Sequence, residues 1–530
     1  MWRRISGIPG LVFAFVVLWK LLVLLTLGQP VPFSDAFFYD GPVVNLLNGG
    51  SYLNPSLALV LPISGTKVFS AYPPLYQAVL WIWMSVFGTA AEAALWLHWV
   101  LFVIYGFALL AVLRELGTPA RWVNIGCLFL FGITFHDRPD SLALACGFWA
   151  IFGWLRAGRT AAPNRPNGWA WLAAALNVMT LATSPQIGLA FLGWSWWLVV
   201  MECRRAGRPA PWRSLAASVV VPAVLVLAVR GGAPLLWEGF REHVTQTPTL
   251  LGWQTENAVG LFKSQVFKLA RTAPGILFAG GCLAWWCGRM GRGDLALLQA
   301  RGAVFLATTI VAAGCLIFAG TVLLMPSVIQ WLAYLQPIVV ALTLMWFVRL
   351  DIPPRVSLWL PRIFLGLALV VGVRAVGIST WGVACALDSN VRKSVQRVGQ
   401  AIRDSPRGAT VVVSAAFLYE ANRHRQERSL HADWLYSYRH PTNLAQRIIE
   451  VKPATLVLTQ FDWYRRYEPF VAELQRQTNI VHVSVTNTAG VRPPDTFPRL
   501  QRILQHISWA PVIVELEWQP KSESQPGERR

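Results

Sequence analysis

Charge is scarce in this sequence. Asp, Glu, Lys and Arg make up 14% of its 530 residues while hydrophobic residues make up 55%, where a soluble globular domain carries about 25% charged residues. A soluble globular fold is therefore excluded, and the chain reads as an integral membrane protein. Cysteine is scarce too: Cys127, Cys146, Cys203, Cys282, Cys287, Cys315 and Cys385 lie in or beside apolar stretches at no metal-ligand spacing. They read as small buried hydrophobes and imply no disulfide framework. No small-residue cleavage pattern follows the first apolar run, Ile8 to Gly28 after Met1-Trp2-Arg3-Arg4. That run is too long for a cleaved signal and reads as a retained signal-anchor helix.

Arginine and lysine are plentiful by contrast, and the formal net charge is +20. Gathered on one soluble face, that charge would suggest nucleic acid. Here it recurs in short loops: Arg114 and Arg121; Arg156, Arg159 and Arg165; Arg204, Arg205, Arg208 and Arg213; Arg289, Arg292 and Arg301; Arg349, Arg355 and Arg362. The positive-inside rule places all of these in the cytoplasm with Arg3 and Arg4, so no nucleic-acid partner is expected.

Apolar stretches of about 17 to 23 residues match the thickness of a bilayer core. Eleven spans are expected, near 8–28, 93–113, 119–135, 141–156, 167–183, 187–202, 214–230, 274–288, 302–325, 330–349 and 363–384. The apolar segment from Pro74 to Phe87 is too short to cross, and crossing would turn every later arginine cluster outward. It is expected as an interfacial or re-entrant helix. The fold class is thus an α-helical polytopic membrane protein with its N-terminus cytoplasmic and its C-terminus outside.

The same parity places the first loop, 29–92, on the external face. His136-Asp137-Arg138-Pro139-Asp140, Ser184-Pro185-Gln186, the long loop 231–274 and the tail after 385 share that face. Asp35, Asp40, Asp137 and Asp140 can then converge at one membrane boundary, although a lone aspartate is more often a solvated helix-end carboxylate. In the second cluster, His136, Asp137 and Asp140 suit a divalent metal such as Mg or Mn, or an acceptor, and Arg138 suits a phosphate. The structural alternative is a helix start, with Pro139 in the first turn and Asp140 at its positive end.

In order, Asp35, Tyr39, Leu46-Leu47-x-Gly49, Tyr52, Tyr72-Pro73-Pro74-Leu75, Phe87-Gly88 and Arg138-Pro139-Asp140 resemble the polyprenyl-phosphate-dependent GT-C glycosyltransferases. That superfamily includes protein O-mannosyltransferases and lipid A aminoarabinose transferases. The resemblance covers roughly residues 8–200; later, only Trp331 to Pro337 is similar. It implies a GT-C-like membrane domain over 1–385 and transfer of a sugar from a polyprenyl-phosphate donor to a lipid, glycan or protein acceptor outside the inner (plasma) membrane. It also implies Asp35 as general base, ranked ahead of Asp40, with metal dependence open because family members differ. A carboxylate is suited to take a hydroxyl proton as the oxygen attacks an anomeric carbon. The leaving phosphate needs cations.

Two basic positions of the family are replaced here, by Tyr72 and Ser184. The phosphate-binding candidates are accordingly Lys67, Arg138 and Arg374, with Arg241, Lys263, Lys268 and Arg271 in the long loop. Arg374 lies within the last span, where an unpaired charge costs about 2.5–3.5 kcal/mol. Lys20 reads as a lysine that snorkels to an interface. The long loop, with Trp237, Phe240, Trp253, Phe262 and Phe267, is expected to form amphipathic surface helices.

After 385 the composition shifts. Short β-rich runs at 410–413, 456–458, 480–485 and 512–514 alternate with helical stretches near 388–404, 442–451 and 464–477. Residues 386–518 are expected as an extracytoplasmic α/β domain with a mainly parallel sheet, followed by a disordered tail, 519–530. This part has no glycine-rich phosphate loop or nucleophile motif. Its cluster Asn422-Arg423-His424-Arg425 reads as a solvated basic surface. A multi-pass transporter or lipid flippase would share the composition, but no internal repeat is evident; a non-catalytic GT-C-like scaffold is the other alternative.

Overall fold

The computed structural model describes residues 8–28, 36–58, 61–70, 72–133, 139–160, 167–250, 258–289, 301–322, 328–347, 354–388, 390–406, 408–424, 429–432, 444–476, 480–487 and 510–518. They fall into two compact units. The first draws on Met1–Leu25, Ser70–Trp83 and Ala93–Thr380, the second on Thr26–Phe69, Met84–Glu92 and Trp381–Arg530.

The longer helices, in chain order, are α1 (Leu11–Leu27), α2 (Ala36–Leu47), α3 (Leu75–Phe87), α4 (Ala91–Glu115), α5 (Ala120–Leu128), α6 (Asp140–Thr160) and α7 (Gly168–Thr183). They continue with α8 (Pro185–Arg205), α9 (Trp212–Gly232), α10 (Pro234–Leu250), α11 (Ala258–Thr272), α12 (Pro274–Arg289), α13 (Arg301–Val322), α14 (Val328–Phe347) and α15 (Pro354–Asp388). Among the described residues, five are long and apolar enough to cross a membrane: Ala91–Glu115, Asp140–Thr160, Pro185–Arg205, Trp212–Gly232 and Leu358–Ala384. These answer to the spans expected at 93–113, 141–156, 187–202, 214–230 and 363–384. A sixth arises if the helices on either side of Ala273, bent by 108° to one another, form one broken span.

Lipid-facing character is plainest in α9. Val220, Val224 and Leu227 are 56%, 56% and 64% exposed, a waste of apolar surface in water but not in lipid. The chain is an integral membrane protein.

The span expected at 119–135 takes a different form. It is α5 followed by a single 3₁₀ turn, Phe129–Gly132, too short to cross alone. Its apolar residues face protein: Cys127, Phe129 and Leu130 are fully buried, and a Cβ on Gly126 would stand 2.3 Å from the Pro337 carbonyl oxygen. Backbone of α5 therefore touches backbone of α14, and a short apolar run serves as a core helix. Residues 331–347 of α14 are buried throughout.

The second unit contains α2, then α16 (Val391–Asp404), β1 (Val411–Val413), α17 (Leu418–His424), β2 (Ser429–His431), α18 (Leu444–Val451), β3 (Thr455–Thr459), α19 (Glu468–Arg476), β4 (Ile480–Asn487) and β5 (Pro511–Trp518). In α16 the buried residues Val391, Ser394, Val398 and Ile402 recur at helical spacing on one face. The sheet order is β2-β1-β3-β5-β4. β1 is parallel to β2 and β3, whereas β5 is antiparallel to both β3 and β4. The sheet is thus mixed, correcting the mainly parallel expectation. β1 and β3 are buried on both faces, as parallel strands are. β5 alternates buried and more exposed residues in its second half, the pattern of an antiparallel strand with one open face.

Candidate functional site

Asp35, the expected base, and His136, Asp137 and Arg138 lie outside the described residues. Their neighbours are described, and the surroundings can be built from them.

α2 begins at Ala36, directly after Asp35. Pro42 lies inside this helix and has no N–H for the Phe38 carbonyl, its normal i−4 acceptor. The Asn54 side chain donates to that carbonyl at 3.4 Å instead, and Ser56 Oγ donates to Asn54 Oδ1 at 2.6 Å. Gly41 lets these groups approach: a Cβ there would lie 2.7 Å from Asn54 Nδ2 and 2.9 Å from Asn422 Nδ2. Phe38 and Tyr39 are buried, and Phe69 packs edge-on against both Phe38 and Tyr52.

Asp40 is fully buried in α2. The Tyr419 hydroxyl, from α17, donates to its Oδ2. Asp40, ranked behind Asp35 in the sequence, is thus bonded to a residue of the α/β part of the same unit. Lys67, also in this unit, is exposed beside the short helix Pro62–Thr66. The basic cluster at the end of α17 keeps a solvated face, since Arg423 is exposed, and its charged groups also pair with one another. Asn422 is buried, while Glu420 pairs with Arg423 at 3.5 Å and with His424 at 3.2 Å. Arg403 Nη1 also lies 3.1 Å from His424 Nε2. Burial lowers the His424 pKa, Arg403 and Arg423 act in the same direction, and Glu420 opposes them; Arg425 lies outside the described residues.

In the first unit, Asp140 is the first residue of α6, and the Pro139 carbonyl accepts from Leu142 and Ala143 N–H groups. Pro139 therefore stands just before the helix, where a first-turn position was expected. Asp140 is 5% exposed, and Trp331 Nε1 of α14 donates to its Oδ2 at 3.2 Å. The carboxylate stands at the positive helix end and also accepts from a specific donor.

Lys20 does not snorkel. It is 7% exposed; its ammonium donates to the Ile133 carbonyl and stands 5.1 Å from the Phe102 ring centroid. Ile133 is the last described residue before the second cluster. Arg374 is exposed on α15 and donates to the Arg271 carbonyl at 3.2 Å, bringing it to the end of α11, beside the 108° bend. Gln336 holds that bend, accepting from Gly275 N–H at 3.1 Å and donating to the Thr272 carbonyl at 2.8 Å.

Sequence reasoning did not single out Tyr76 and His98, whose hydroxyl and Nε2 are 2.9 Å apart and buried. Nor did it single out Gln77, 2% exposed, whose amide atoms have no partner among the described residues. Buried polar side chains directly after the Tyr72-Pro73-Pro74 motif were the available signal. Among the described residues, no three His, Cys, Asp or Glu side chains are arranged to hold a metal ion.

No protein-family profile matches the chain, and no curated protein matches it in sequence. Among solved structures it is similar to ArnT from Cupriavidus metallidurans in the apo state, at 13% identity and a TM-score of 0.47, over 95% of this chain and 97% of that one. It is also similar to the archaeal oligosaccharyltransferase AglB from Archaeoglobus fulgidus, in complex with an inhibitory peptide and a dolichol-phosphate. There the identity is 10%, the TM-score 0.44, and the coverage 85% of this chain and 69% of that one. Likenesses at this level assign no residue a role.

Proposed function

We propose that the chain is an inverting membrane glycosyltransferase that moves a sugar from a polyprenyl-phosphate donor to an envelope acceptor outside the inner (plasma) membrane. Asp35 is its general base. The observation that carries the reading is the mounting of α2: the helix starts one residue after Asp35 and is held by Tyr419 on Asp40 and by Asn54 on Phe38. A base acts only within hydrogen-bond reach of its proton, and a fixed support maintains that reach.

In a single displacement, Asp35 takes the acceptor hydroxyl proton as that oxygen bonds to the anomeric carbon. The bond from that carbon to the donor phosphate oxygen breaks, and the phosphate leaves with the electron pair. Attack opposite the leaving group inverts the configuration. Lys67, Arg138 and Arg374 are assigned to the phosphate, whose growing charge fixed cations stabilise. His136, Asp137 and Asp140 are assigned to the acceptor or to a divalent metal, Asp140 being oriented by Trp331. Asp40 supports α2.

The test is a comparison of envelope glycans, by mass spectrometry, between a deletion strain and the same strain carrying the wild-type gene. The expected result is one sugar substituent lost on deletion and restored by the gene. An unchanged glycan profile with altered uptake of a solute would favour transport instead.

A further inference from the structure

Helices α8 and α9 both pack on α7 yet scarcely meet each other. The space between them is an open groove of about 500 Å³. Its walls are apolar, with Leu189, Leu192, Trp196 and Trp197 on α8 and Trp212 and Val219 on α9. The one polar link across it is internally satisfied: Trp196 Nε1 donates to Ser218 Oγ at 3.1 Å, and Ser218 Oγ donates to the Leu215 carbonyl at 2.6 Å. Gly193 also lines the groove, and a Cβ there would meet nothing within 4 Å.

One end of this groove is strongly basic. Arg204, Arg205, Arg208 and Arg213, on and beside the turn joining the helices, are all exposed, and Glu202 is the one acidic residue between 185 and 232. Glu202 is buried and pairs with Arg205 at 3.8 Å, while Arg208 donates to the carbonyls of Gly158 and Arg159. Among the described residues, no ion pair engages Arg204 or Arg213. An apolar channel ending in exposed guanidiniums is complementary to a molecule with hydrocarbon chains and an anionic head.

We propose that this groove binds an anionic phospholipid, its acyl chains lying between α8 and α9 and its phosphodiester meeting Arg204 and Arg213. Guanidinium forks match phosphate oxygens in pairs, and Trp212 sits where an interfacial ring belongs. The positive-inside rule puts this end at the cytoplasmic leaflet, whose anionic lipids basic pockets between membrane helices recognise. The site is separate from the proposed transfer chemistry and does not depend on it.

The full-length protein in detergent is titrated with phosphatidylglycerol and with phosphatidylcholine of the same acyl chains, and bound lipid is counted by native mass spectrometry. The wild type is expected to retain phosphatidylglycerol at least about tenfold better. Arg204→Gln with Arg213→Gln should remove that preference while leaving phosphatidylcholine binding unchanged; Gly193→Trp should lower the binding of both. Equal retention of the two lipids by the wild type, meaning neutral annular lipid only, overturns the proposal, as does a preference that survives the double substitution. If inorganic phosphate abolishes the preference while Gly193→Trp has no effect, the arginines bind free anions and the groove assignment fails.

Discussion

Tyr419 and Asp40 are 379 positions apart in sequence, and the hydrogen bond between them is buried. Removing one partner of a buried hydrogen bond costs about 1–3 kcal/mol. Tyr419→Phe is expected to destabilise the second unit by that amount, read as lost hydrogen-exchange protection in α2 and α17. In a double-mutant cycle with Asp40→Ala, the two effects should fall short of additive, because each removes the same shared contact; strict additivity would deny the coupling. Trp331→Phe removes the donor to Asp140 while preserving much of the ring's bulk. It is expected to lower transfer activity at least about tenfold, as loss of an orienting contact does, with little change in the amount of folded protein; unchanged transfer would deny Asp140 its role. The helix start at Asp140 was legible in the sequence because a proline beside it marks it locally. The engagement of Asp40 was not, because its partner lies in another part of the chain and a tyrosine in a short helix carries no signal of that pairing.

Among elements, the alternation of buried and exposed residues separates what could be read from what could not. β1 and β3 are short apolar runs and were recognised as strands. The direction of β5 between β3 and β4 depends on a connection whose course local sequence does not encode. Apolar length was equally ambiguous at 119–135: Val123, Cys127 and Leu130 are as hydrophobic as any lipid-facing residues, but they serve a core helix against α14.

At the carboxyl ends of β1 and β3, Asp462 is buried. Ser414 and Thr459 both donate to its Oδ2, the latter at 3.0 Å. Burial raises its pKa, and the two hydroxyl bonds oppose that rise. The folded state therefore keeps this proton to higher pH than the unfolded state. The resulting stabilisation is fully present below the ordinary aspartate value of about 3.9 and is lost as pH rises through the folded value. Asp462→Asn keeps an acceptor oxygen and removes the titration. Its exchange protection in β1 and β3, compared with wild type at each pH, should increase from about pH 4 upward and then level off. A constant ratio would show that Asp462 does not titrate in this way.

At the scale of the whole molecule, the two compact units do not follow chain order: residues of the first loop belong with those after Trp381. Membrane character was legible throughout, because scarce charge and long apolar runs are properties of composition. The grouping of the loop with the tail was not, since it rests on contacts such as Gly41 against Asn422, invisible until the chain is folded. The proposed function depends on that grouping, because the α/β part then supports the helix that follows the candidate base.

The most direct measurement is rescue of the deletion strain by Asp35→Asn, with the envelope sugar quantified by mass spectrometry and protein abundance and thermal unfolding matched to wild type. Loss of a general base lowers the rate by about 10²–10⁴-fold, so the expected result is a folded protein at normal abundance that restores almost none of the sugar. Full restoration by Asp35→Asn would contradict the assignment.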